Sequence, residues 1–201
     1  MEYLPVVSKL FADDPIESPQ KKDGTYKIIL EEKDKNARLR EVTIEDMPET
    51  CRAIKLDMFK LNNKFLRGEK GELRRCDYVL FIKHKKELYR YFIEIKSAKP
   101  RGYDTQLKAS ACLMKYFDIL AKHFHSDTSM ELYKDRFVLL KRGGIKADTS
   151  PEPYEWENNS YDSCYEIEFD DVEVSISLAK LLAERKLGPL AQAYDGDRVV
   201  D

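Results

Sequence analysis

The chain has 201 residues, of which 42% are hydrophobic and 36% charged, and its formal net charge is −2. That is a globular composition, long enough to bury one substantial core beneath a heavily charged surface. No apolar run approaches the roughly 18 residues needed to span a bilayer, and Met1–Leu10 lacks the basic-then-apolar order of a secretory signal.

Pro5, Pro15, Pro19 and Gly24 mark a loosely ordered lead-in. Thr25–Leu30 (TYKIIL) and Arg38–Ile44 (RLREVTI) read as strands either side of a polar turn at Lys33–Asn36, a candidate hairpin. Pro48 suits the first turn of a helix capped by Asp46 and running to about Asn62, with Ile54, Met58 and Leu61 along one face. Cys76–Ile82 (CDYVLFI) is an apolar strand opened by an acid. A polar turn, His84–Glu87, leads into a second strand, Leu88–Lys96 (LYRYFIEIK), which Pro100 and Gly102 bring to an end.

A helix is expected from about Thr105 to His125, with Leu107, Ala111, Met114, Phe117, Ala121 and Phe124 as its apolar stripe. Arg136–Leu140 (RFVLL) is a third buried strand. Strand, helix and strand in that order imply a crossover and a parallel pair. A loop over Arg142–Asn159 follows, then an edge strand at Cys164–Phe169 and a helix at Ser175–Lys186 stopped by Gly188-Pro189. Residues 192–201 read as a frayed acidic tail.

The charge is unevenly spread. Lys60–Arg101 holds 13 Lys/Arg against 5 Asp/Glu, whereas Asp148–Asp201 holds 4 against 14 and residues 1–50 hold 8 against 12. A basic middle between acidic ends suits a polyanion-binding centre, and equally a set of solvated faces on a bipolar protein. The four cysteines form no CxxC pair and match no zinc spacing. Cys76 and Cys112 lie in apolar patterns and read as buried thiols, which fits a reducing, cytoplasmic home.

The chemistry concentrates at Phe92-Ile93-Glu94-Ile95-Lys96. Alternate side chains of a strand share a face, so Glu94 and Lys96 point one way and Ile93 and Ile95 the other. A carboxylate and an ammonium on an interior strand are costly unless paired or metal-bound. Sixteen residues separate Asp77 from Glu94, enough for a strand, a turn and a return strand that would set the two acids side by side. Adjacent carboxylates repel, and a divalent cation with hard oxygen ligands relieves the repulsion. A surface cross-strand ion pair is the plainer alternative for Glu94 and Lys96, and a strand-opening cap for Asp77.

An acid opening one strand, an apolar strand carrying Glu-x-Lys, then a turn and a helix together resemble the PD-(D/E)XK (restriction-endonuclease-like) nuclease superfamily. Asp77 matches the first acid, Glu94 the second and Lys96 the lysine, while Cys76 stands where a proline often precedes the first acid. Gln106 resembles a glutamine that some members place near the metal, and Glu49 or Asp57 could supply an acid from the preceding helix. The resemblance covers about residues 46–141 and implies an α/β fold with a central mixed β-sheet flanked by helices. Residues 1–45 would then be a lead-in with N-terminal strands, and 142–201 an acidic extension with a strand and a helix, all in one domain spanning 1–201.

The resemblance further implies a Mg²⁺-dependent phosphodiester hydrolase, with Mn²⁺ as a substitute, in which Asp77 and Glu94 bind metal and Lys96 serves the attacking water. DNA is the expected substrate in preference to RNA, with a role in defence or repair. A separate helicase or ATPase is a candidate partner, because the chain has no GxxxxGK[ST] loop, and a homodimer would permit double-strand cuts. Lys83, Lys85, Lys86, Lys99, Arg101 and Lys108 are the candidate phosphate contacts, with a solvated turn as the alternative for the first three. The other class of reading is a catalytically silent nucleic-acid-binding or assembly module that keeps the fold. Asp23, Glu31 and Lys33 also read D…ExK, but the seven residues between Asp23 and Glu31 are too few for two strands, and Lys33 lies in a polar run.

Overall fold

Thr25–Glu31 and Glu41–Glu45 do form an antiparallel pair, with Ile28 opposite Ile44 and Leu30 opposite Val42. All four of these side chains are buried, and the residues between them face outward, as period-2 alternation requires. The computed structural model describes residues 10, 16–32, 37–59, 67–96, 101–143 and 159–182, so the turn expected at Lys33–Asn36 and the C-terminal tail lie outside the described residues.

In chain order the strands are β1 (Ile16–Glu17), β2 (Gln20–Lys22), β3 (Thr25–Glu31), β4 (Glu41–Glu45), β5 (Arg52–Lys55), β6 (Tyr78–His84) and β7 (Glu87–Lys96). After helix α1 (Tyr103–His125) come β8 (Lys134–Arg142), β9 (Tyr165–Phe169), β10 (Glu173–Ser177) and the short helix α2 (Leu178–Leu181). Six strands form a mixed sheet in the order β1-β5-β6-β7-β8-β9, and four form a second sheet in the order β10-β4-β3-β2. The fold is therefore α/β. Among the described residues, no helix is long and apolar enough to cross a membrane.

The six-stranded sheet is covered on both faces, which explains why β6 and β7 are apolar almost throughout rather than alternating. On one face Tyr78, Leu80, Ile82, Tyr91, Ile93, Ile95, Val138 and Leu140 pack against Ile28, Leu30, Val42 and Ile44 of the smaller sheet. On the other, Val79, Phe81, Leu88, Phe92, Phe137 and Leu139 pack under Leu107, Ala111, Met114 and Ala121 of α1. Phe92 and Phe137 stack with ring centroids 5.1 Å apart. Removing either ring would cost about 3–5 kcal/mol. Asp118 interrupts the helix stripe: it accepts from Arg90 of β7 at 2.7 Å, and Asp135 takes the same guanidinium at 2.7 Å.

The β6–β7 hairpin is antiparallel, and β7 runs parallel to β8 through the α1 crossover, as expected. Two helix expectations are corrected. Over Pro48–Asn62 the described residues form strand β5 and a 3-10 turn at Leu56–Met58, because Ala53 and Ile54 gain more by pairing with Leu80 and Val79 than a lone helical turn would. At the C-terminal end, Glu173–Ser177 is a strand parallel to β4, and helix begins only at Leu178, where the Ser177 hydroxyl accepts from the Lys180 N–H. Cys112 is exposed rather than buried, whereas Cys51, Cys76 and Cys164 are buried. Phe124 leaves the stripe and is 77% exposed.

Candidate active site

Asp77 stands one residue before β6 and continues its ladder, since its carbonyl accepts from the Leu56 N–H at 3.0 Å. The register sets Tyr78 opposite Ile93, so one further step sets Asp77 opposite Glu94 on the same face. Asp77 Oδ2 accepts from the Ile95 N–H at 2.7 Å, which fixes the carboxylate against β7. Lys96 follows two residues after Glu94 and points to the same side. The three residues singled out in the sequence are thus brought together at one end of the hairpin.

Helix α1 holds the backbone ahead of Asp77. Ser110, fully buried on the helix, accepts from the Cys76 N–H at 2.7 Å, and the Gln106 amide donates to the Arg75 carbonyl at 3.0 Å. Gln106 therefore positions the strand that carries Asp77. Gly102, just ahead of α1, has φ 70°, beside the tip of the Arg74 side chain. Glycine takes that left-handed backbone without strain.

The electrostatics are those of an under-provided pair of acids. Glu94 is fully buried. Lys96 makes an ion pair with Oε1, yet no well-directed hydrogen bond reaches either Glu94 oxygen among the described residues. Burial, then repulsion from Asp77, pushes the Glu94 carboxyl up to about 8, with Lys96 partly offsetting both. Asp77 keeps partial access to solvent, but enough protein surrounds its carboxyl for burial to push it up to about 7 against the opposing Ile95 N–H.

Two carboxyls held opposite one another, both raised by burial, with the buried Glu94 oxygens short of hydrogen bonds, fit a divalent cation. Among the described residues no cluster of three or more His, Cys, Asp or Glu forms a closed cage. One or two carboxylates with remaining positions for water and phosphate is the usual provision for Mg²⁺. Asp77 and Glu94 are the residues that would hold it.

Glu32 escaped the sequence reading. Its charge raises both Asp77 and Glu94. The end of β3 is pinned there by Tyr78, whose hydroxyl accepts from the Glu31 N–H at 2.8 Å and donates to the Glu31 carbonyl at 3.1 Å. The polar run rejected as a decoy motif therefore reaches the site by another route. Of the two acids proposed ahead of the motif, Asp57 bears on Asp77, whereas Glu49 takes the hydroxyl of Tyr26. Ser110 gave a weak signal, a small hydroxyl within an apolar helical stripe.

Arg101 precedes α1 and Lys108 lies in its second turn, with Lys108 Nζ 5.3 Å from the Tyr161 ring centre. Lys83, Lys85 and Lys86 are at the far end of the hairpin, roughly 20 Å away by strand length. Lys99 falls outside the described residues. His123 and His125 are exposed and His84 partly so.

No family model matches the chain, and no curated protein or solved structure matches it either.

Proposed function

We propose that the chain is a divalent-metal-dependent nuclease with a restriction-endonuclease-like core, cutting phosphodiester bonds in DNA in preference to RNA. One observation carries the reading: Asp77, half-buried, and Glu94, fully buried and short of hydrogen bonds, face each other at the end of the β6–β7 hairpin, with Lys96 against Glu94. The order hairpin, helix, parallel strand around these residues supports it. When bound, Mg²⁺ or Mn²⁺ neutralises phosphate charge and makes water a stronger nucleophile.

The chain's own residues do the rest. Asp77 and Glu94 supply the anionic oxygens, and the Ile95 N–H keeps Asp77 turned toward its partner. Lys96, with a side chain 26% exposed, is the cation of the three that reaches solvent. Its ammonium is placed to orient the attacking water and to neutralise charge gathering on the phosphate. Water attacks phosphorus and releases a proton to solvent as the new P–O bond forms, the P–O ester bond breaks, and the leaving oxygen takes a proton from solvent. Gln106 and Ser110 hold the Asp77 segment still.

The test is direct. Purified protein is incubated with plasmid, linear duplex and single-stranded DNA and with RNA, in Mg²⁺, Mn²⁺ or EDTA, beside Asp77→Ala and Lys96→Ala. Cleavage that needs metal and is lost in both variants supports the nuclease. Binding without any cutting would replace it with the silent module.

A further inference from the structure

We infer that Lys141 is a second phosphate-contacting cation of this site, and that a backbone phosphate of the substrate seats between it and Lys96. The inference rests on the nuclease reading and names a residue that the motif does not contain. Lys96 and Lys141 are direct partners in the parallel β7–β8 register. Both follow the rung in which Glu94 pairs with Leu139, and both leave the sheet on the face covered by α1. Partner residues on neighbouring strands lie about 5 Å apart along the hydrogen-bonding direction.

Two like charges set directly opposite in a sheet repel one another. Here each already has carboxylate partners, Lys96 along its own strand and Lys141 across on β9. Lys96 pairs with Glu94, while Lys141 Nζ lies 2.5 Å from Glu166 Oε2 and 2.8 Å from Glu168 Oε1, both on β9. None of these three carboxylates stands on the rung between the two lysines, so the space between the lysines favours an anion. The Lys141 side chain is 17% exposed, against 41% and 45% for its two partners. Gly143 backs this arrangement, since a Cβ there would lie 2.6 Å from Glu168 Oε2. The rung sits at the carboxyl ends of parallel strands, where open α/β sheets characteristically take their ligands. Glu166 and Glu168 then act as a guard that phosphate must compete with.

The experiment measures binding of fluorescent single-stranded and duplex oligonucleotides across a salt series with Ca²⁺ in place of Mg²⁺, and cleavage in Mg²⁺. It compares wild type, Lys141→Ala, Lys141→Arg and Glu168→Gln, with thermal melts of each. Lys141→Ala is expected to weaken binding about tenfold and flatten the salt slope by about one counterion, with Lys141→Arg retaining both. Glu168→Gln is expected to bind more tightly than wild type, because it frees positive charge. If Lys141→Ala changes only the melting temperature and leaves affinity and slope at wild-type values, Lys141 is a cross-strand tie and the inference is overturned alone. If wild type neither binds nor cuts any of the oligonucleotides, the nuclease reading falls and takes this one with it.

Discussion

Strand β7 buries two charged clusters on the same face, and they are provided for in opposite ways. At one end Arg90, 3% exposed, is met by Asp118 and Asp135 through three hydrogen bonds, two of them to a single carboxylate. At the other end Glu94 is fully buried with one ion-pair partner and an orphaned oxygen, opposite a second carboxyl that repels it. A satisfied buried cluster ties elements together, here β7, β8 and α1. A buried cluster left short of positive charge costs stability, and that cost is expected where a ligand completes it.

The contrast can be broken most forcefully at the acids. Asp77→Ala and Glu94→Gln are expected to lower metal-dependent cleavage by about a thousandfold or more, the equivalent of several kcal/mol of lost charge stabilisation. Glu94→Gln should melt no lower than wild type in EDTA, since it removes a repulsive partner, whereas Asp77→Ala also takes the acceptor from the Ile95 N–H and should cost about 1 kcal/mol. A clear loss of metal-free stability in Glu94→Gln would place this pair in the same class as Arg90.

Arg90→Met is the converse. It strands Asp118 and Asp135, both half-buried, and should cost about 3 kcal/mol in denaturant unfolding, with or without metal. Indifference of the protein to this change would remove the structural half of the comparison.

A subtler effect should appear with pH. Both site carboxyls are raised in the folded protein, so the folded state holds more protons than the unfolded chain between the ordinary carboxyl range and about 8. Metal-free stability attributable to the pair should therefore fall as pH rises through that window and level off above it. Mn²⁺ competes with those protons, so the thermal shift it gives should grow over the same interval. A Mn²⁺ shift that is flat from about pH 6 to about pH 9 would contradict this.

Smallest is the clamp from α1. Ser110→Ala leaves the buried Cys76 N–H without its acceptor and should cost about 1–2 kcal/mol, with a modest fall in cleavage rate and an unchanged metal preference. Gln106→Ala should behave likewise, more weakly. An altered metal preference in Gln106→Ala would instead give the glutamine a direct part in metal binding.

How much of this was legible in the sequence depended on range. The β6–β7 hairpin, α1 and β8 announce themselves through local pattern, and so does the meeting of Asp77, Glu94 and Lys96, because strand parity and a short turn leave little choice. β5 was misread because Ile54 and Met58 fall at helical spacing in a stretch too short for its period to decide. Its true partner, β6, lies more than twenty residues on. β10 was misread for the same reason: its pairing with β4 spans most of the chain, and Ser175–Leu182 alone looks like the start of a helix. Glu32 was invisible because it reaches the site only through the packing of the smaller sheet, where the Tyr78 hydroxyl grips the backbone of Glu31. The local pattern therefore located the Asp77–Glu94 pair, while long-range pairing decided what surrounds it.

The most direct measurement is calorimetric titration of Mn²⁺ into the metal-free protein near neutral pH, in two buffers of different ionisation heat, for wild type and Asp77→Asn. The expected result is binding by wild type accompanied by proton release, because carboxyls raised to about 7 and about 8 must ionise to take the cation, and loss of both signals in Asp77→Asn. Binding that proceeds unchanged in Asp77→Asn, or no binding by wild type at all, would contradict a divalent-cation site between Asp77 and Glu94.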